Sequence, residues 1–132
     1  MASQHVYNLM IAEDEEVERQ AIQLLVERQL PRIRLVGAAA TTSELLVRLN
    51  LARPHLVILD SHLPGERLVN TLNLLLSPNA ALKVIIFADY DEESLMRQCL
   101  RFGAFAYLAR PVQPQRLLNV LKRAIVVLDN TV

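Results

Sequence analysis

Excess charge is what this sequence most plainly lacks. Fourteen lysines and arginines balance fourteen aspartates and glutamates across 132 residues. A nucleic-acid binder announces itself by a clustered basic surplus, and none is present. No apolar run approaches the ~18 residues a membrane span requires. The opening MASQHVYNLM has neither the cationic flank nor the apolar core of a secretory signal. A single cysteine, Cys99, cannot close an internal disulfide, which suits a reducing compartment; on a helix it reads as a small buried residue. No repeat, low-complexity tract or composition break divides the chain. Together these absences predict one soluble, cytoplasmic domain, large enough to bury roughly two thirds of its unfolded surface.

What is present is alternation. Five short apolar runs, at 6–12, 33–39, 55–59, 83–87 and 106–109, read as strands, and helical spacing fills the segments after each. In the first such segment Val17, Ala21, Leu24, Leu25 and Arg28 share a face, and Pro31 closes the helix. Thr41 and Glu44 fit a capping box that opens a second helix carrying Leu45, Leu46 and Leu49. Leu68, Val69, Leu72, Leu75 and Leu76 mark a third, stopped by Ser77-Pro78-Asn79. Asp91, Glu92 and Glu93 supply the acidic first turn of a fourth, with Gly103 as its terminator. Leu117, Leu118, Leu121, Ala124, Ile125 and Leu128 give the clearest helical period, in the fifth.

Five strands alternating with five helices imply an α/β fold with a parallel sheet. Strands that are apolar at nearly every position expect helices on both faces. Five such units in this length suit a flavodoxin-like sheet of order 2-1-3-4-5, whose ligands bind beyond the carboxyl ends of the strands where the order reverses.

That reversal gives meaning to HLVILDSHLPG (55–65), an apolar run that ends on Asp60 and a proline-glycine turn. The first strand exits into Glu13 and Asp14, the fourth into Ala88-Asp89 and the fifth into Ala109-Arg110-Pro111. With strands one and three adjacent, Glu13, Asp14 and Asp60 meet in one small space. At an effective dielectric of ~20, each carboxylate pair at ~4 Å repels by about 4 kcal/mol, so protons or a cation must bind. Oxygen ligands with room for water suit Mg²⁺ or Mn²⁺. Such a site could hold a phosphoryl oxygen beside Asp60, with Arg110 as a fixed positive charge, and so support phosphoryl transfer to a carboxylate. Taken singly, the acids also read as helix-dipole partners, and Asp60 as the cap of a turn.

From about Tyr7 to Leu128 the chain resembles a response-regulator receiver domain of bacterial two-component signalling (CheY-like). LMIAEDEEVERQAI is similar to the first strand and acidic pair, and PHLVILDSHLPG to the phospho-acceptor strand. KVIIFADYDE resembles the fourth strand and switch loop, and RFGAFAYLARPV the fifth strand and lysine-proline corner. The resemblance implies a receiver domain over 6–128, with 1–5 and 129–132 as terminal extensions. By position, Asp60 matches the acceptor of a phosphoryl group from a sensor histidine kinase. Glu13, Asp14 and Asp60, with the backbone carbonyl of His62, match the metal ligands. Tyr107 matches the aromatic that reorients on activation, and Arg110-Pro111 a peptide that is usually cis. Signal output would pass through the face formed by the fourth helix, fifth strand and fifth helix, to a second copy or to a transcriptional output domain on a longer chain. Neither nucleic-acid nor membrane binding is expected of this domain, nor catalysis beyond self-dephosphorylation.

Three departures stand out. Ala88 replaces the family's threonine or serine, Arg110 its lysine, and Asp89 adds a carboxylate near an anionic pocket. The loop after Pro64-Gly65 is also shorter than usual. With Glu13, Asp14, Asp60 and Asp89 ionised, four negative charges face three positive ones from a divalent ion and Arg110. The departures motivate a second reading, an atypical receiver acting as a phosphorylation-independent interaction module. A small metal-dependent phosphatase is a third, lacking a second nucleophile or acid on the rim.

Overall fold

The computed structural model describes residues 5–89 and 92–131. Its elements run β1 (Tyr7–Ala12), α1 (Glu16–Gln29), β2 (Ile33–Ala39), α2 (Thr42–Ala52), β3 (Leu56–Asp60), α3 (Leu68–Leu76), β4 (Lys83–Ala88), α4 (Glu93–Arg101), β5 (Ala106–Ala109) and α5 (Pro114–Asp129). The strands form one parallel sheet in the order β2-β1-β3-β4-β5. This is the expected order, with the reversal between β1 and β3.

Because side chains alternate across a strand, each buried strand feeds two cores. Leu9, Ile11, Leu56, Ile58, Ile85, Phe87 and Leu108 pack with α1 and α5 on one face. Met10, Ala12, Val57, Leu59, Val84, Ile86 and Tyr107 pack with α2, α3 and α4 on the other. A register shift between Leu9 and Met10 bends the β1–β2 pairing. Cys99 is buried in the second core, as its place on a helix suggested.

The local signals were mostly sound. Thr41 Oγ1 accepts the Glu44 N–H at 3.1 Å, making the forward half of the capping box. Gly103 ends α4 with φ +106°, a conformation that favours glycine. The Arg110-Pro111 peptide is cis. Of the acidic trio assigned to the fourth helix, Asp91 lies outside the described residues, Glu92 is the N-cap and Glu93 opens the helix.

The buried face of α1 differs from expectation. Ile22 and Val26 go into the core, while Val17 and Leu24 are exposed and Leu25 lies at the margin. The helix is therefore rotated by about a third of a turn from the face with most apolar residues. Two partial apolar stripes overlap in this sequence. Contact with β1, α5 and the Ile33 end of β2 selects the one built on branched residues four apart.

Candidate functional site

The carboxyl ends of β1, β3, β4 and β5 surround an open cleft of about 530 Å³, lined by six carboxylates, His62 and Arg110. Glu13 follows the last residue of β1, and its main chain still pairs with β2 through Ala39 O at 2.9 Å. Its side chain is buried and divides its two oxygens. Oε1 accepts the Glu15 N–H at 3.0 Å, and Oε2 accepts from Arg110 Nη2 at 2.9 Å. Removal from water pushes the Glu13 carboxyl up to about 7 from an ordinary 4.5. The charges of Asp60 and Glu18 push the same way, whereas the Glu15 N–H and Arg110 pull against it.

Asp60 closes β3 and is 6% exposed. Its Oδ1 accepts the His62 N–H at 3.2 Å and Arg110 Nη2 at 3.0 Å. The turn-capping reading of Asp60 holds, and the same oxygen also accepts from Arg110. Asp14 is exposed at the mouth of the cleft. Glu13, Asp14 and Asp60 each present an oxygen within 4.8 Å of the others, so the predicted convergence of the β1 and β3 exits is real. An all-oxygen, three-carboxylate set open to water fits Mg²⁺ or Mn²⁺. His62 follows two residues after Asp60, in the same turn, and lines the cleft.

Arg110, just past β5, is the hub of the cleft. Burial works against its charge, but bonds to Glu18 and Asp60 outweigh this and raise its pKa further. Nε donates to both oxygens of Glu18 at 3.1 Å, and Nη2 reaches Glu18 Oε1 at 2.9 Å. Nη1 donates to Asp89 Oδ1 at 2.8 Å and Phe87 O at 3.3 Å. Asp89 therefore faces the cleft, at its rim, and its Oδ2 lies 3.2 Å from His62 Nε2. The additional carboxylate anticipated there is present, already paired with Arg110.

Ala88 ends β4 as a buried methyl, so no hydroxyl projects from that strand end. Its carbonyl accepts the Arg110 N–H at 2.7 Å, fixing the base of that side chain. Tyr107 is 7% exposed and packs in the same core as Ala88 and Cys99, with Met96 against it. Glu18 was missed in the sequence. It stands four residues after Asp14, in the first turn of α1, where an acid also complements the helix dipole. The signal that would have found it is Arg110 itself: a guanidinium fork in place of an ammonium needs acceptors side by side.

Residues 9–122 match the family described as the response regulator receiver domain. The chain is 28% identical over 116 residues to the transcriptional regulatory protein CitB of Klebsiella pneumoniae, covering 86% of this chain and 48% of that protein. It is 25% identical over 124 residues to the nitrate/nitrite response regulator protein NarL of Escherichia coli K12, covering 94% and 57%. It thus spans about half the length of these relatives. Among solved structures, a response regulator receiver domain protein from Clostridium thermocellum superposes with a TM-score of 0.86 at 22% identity, covering 96% of this chain and 100% of that one. The isolated receiver domain of RcsB from Salmonella enterica, with a phosphomimetic, gives 0.84 at 18% identity, covering 89% and 87%. At these identities the structures speak for the fold.

Proposed function

We propose that this chain, which belongs to the response regulator receiver domain family of two-component signalling, receives a phosphoryl group on Asp60. The observation that carries the assignment is the convergence of Glu13, Asp14 and Asp60 at the reversal point of the sheet. Both hydrogen bonds to the Asp60 carboxylate fall on Oδ1, which leaves Oδ2 to attack. In the transfer, Oδ2 bonds to phosphorus while the P–N bond to a kinase histidine breaks, and the imidazole keeps that electron pair and takes up a proton. Mg²⁺, held by Glu13, Asp14, Asp60 and the His62 carbonyl, would supply charge neutralisation at the phosphoryl oxygens. Arg110 contributes a fixed positive charge beside Asp60, and its reach is limited by the carboxylates it already holds.

The partners that follow are a sensor histidine kinase and, on a longer natural chain, a transcriptional output domain of the kind named in the relatives. The cytoplasm is the compartment for this exchange; among the described residues no helix is long and apolar enough to cross a membrane. Output runs through α4, β5 and α5, since β4 and β5 carry both the switch positions, Ala88 and Tyr107, and the strand ends at the cleft. Self-association through this face is the dimer consistent with that route.

Incubation with acetyl phosphate and Mg²⁺, followed by intact mass measurement, tests the reading. A gain of one phosphoryl group that disappears in Asp60→Asn is expected. No gain at any dose in the wild-type chain would refute it.

A further inference from the structure

One nitrogen atom stands where a cation belongs. Arg110 Nη2 lies 2.9 Å from Glu13 Oε2, 2.9 Å from Glu18 Oε1 and 3.0 Å from Asp60 Oδ1. It has two N–H bonds for three acceptors, each from a different carboxylate. Glu13 and Asp60 belong, with Asp14, to one group that could hold a divalent ion, and Glu13 belongs to a second with Glu15 and Glu18. The other oxygen of Glu13 is already engaged by the Glu15 N–H, so Arg110 sits on the one that remains.

We infer that Arg110 is a built-in counter-cation that competes with the divalent ion for Glu13 and Asp60, and that Glu18 is the seat onto which it withdraws when the ion enters. This rests on the reading of Glu13, Asp14 and Asp60 as the metal site. Three features support the second half. Three of the guanidinium's contacts are to Glu18, including both from Nε, so this grip survives the release of Glu13 and Asp60. Asp89 and Phe87 O hold Nη1, while the bonds to Glu13 and Asp60 come from Nη2. The Phe87 ring lies 5.8 Å from the guanidinium carbon, an additional resting surface. A lysine could not do this: a single ammonium cannot hold Glu18 edge-on while also reaching Asp60. Glu18 is thus a positioning residue, acting on the ion through Arg110.

Mn²⁺ binding to the whole chain, followed by the electron paramagnetic resonance signal of the free ion, separates the outcomes, with circular dichroism confirming that each variant is folded. Arg110→Ala should bind Mn²⁺ at least about tenfold more tightly than wild type, since a like charge beside the ion is removed. Arg110→Lys should fall between them, and it carries the test should the alanine variant not fold. Glu18→Gln should bind more weakly by about threefold or more, and this loss should largely vanish in the Arg110→Ala background. Equal affinities in wild type, Arg110→Lys and Arg110→Ala would overturn the competition while leaving the metal site standing. A Glu18→Gln loss of the same size in both backgrounds would overturn its role through Arg110, leaving Glu18 to act by its own charge or as a ligand beside Glu13 and Glu15. Absence of Mn²⁺ binding in every variant would overturn the metal-site reading, and the inference with it.

Discussion

Glu13 should make the metal-free protein less stable as the pH rises through neutrality. Its carboxyl is buried at the end of β1, and desolvation lifts it from 4.5 to about 7. The folded chain then keeps a proton that the unfolded chain surrenders above about pH 4.5. A raised folded-state value means that stability from this group is fully present below pH 4.5 and is lost as the pH climbs through about 7. The gap between 4.5 and about 7, at ~1.4 kcal/mol per pH unit, amounts to roughly 3 kcal/mol. An internal comparison isolates this one group from the rest of the chain. Glu13→Gln keeps an acceptor for the Glu15 N–H and carries no charge at any pH. Urea denaturation of both proteins without metal, between about pH 4 and 8, gives the difference curve. Wild type should lose about 3 kcal/mol relative to Glu13→Gln across that range. Saturating Mg²⁺ should reduce the loss, because the ion binds the ionised form. Parallel curves for the two proteins would show that burial does not perturb Glu13, and the reasoning would fail.

Ala88→Thr places a hydroxyl at the end of β4; if, as proposed, it reaches a phosphoryl group on Asp60, a hydrogen bond to that charged group is worth about 1.5–3 kcal/mol. At fixed acetyl phosphate, the ratio of phosphorylated to free protein by mass should rise at least about tenfold, and no change would refute the role given to this position. Gly65→Ala should destabilise the fold by about 2 kcal/mol or more in urea. Gly65 has φ +125°, and an added Cβ would lie 2.8 Å from Thr42 Oγ1 and 2.9 Å from Thr42 Cβ, the residue whose hydroxyl accepts the Glu66 N–H and ties the β3–α3 loop to α2. Equal stability would show that this loop is free to move. Asp129→Ala removes the carboxylate that accepts Tyr7 Oη at 2.6 Å and Arg32 Nη1 at 2.8 Å, joining the end of α5 to the start of β1. The group is part-exposed, so a loss of about 1–2 kcal/mol is expected, and none would mean that water replaces the pair at no cost.

The strand order and the convergence of Glu13, Asp14 and Asp60 were legible because they depend on short-range patterns. Continuous apolar runs in β1, β3 and β4 imply burial on both faces, and burial on both faces with one helix per strand leaves few topologies. Once the order is known, Asp60 and Glu13 have nowhere to go but the same rim. The buried face of α1 was not legible, since Val17, Leu24 and Ile22, Val26 are equally good local stripes. Only the packing of α1 against the sheet and α5 chooses between them.

The sequence by itself determined that Glu13, Asp14 and Asp60, from two strand exits, would be crowded on one rim with Arg110 nearby, because residue type and strand order carry that information; that Asp89 joins them it did not decide. What only the tertiary structure decided is how the crowding is relieved. Arg110 lies on Glu13, Glu18, Asp60 and Asp89 at once, and Glu13 is held near a neutral midpoint. Glu18 and Arg110 are 92 residues apart in the chain. No local pattern links them; their bond exists because the first turn of α1 and the end of β5 fold onto the same rim of the sheet.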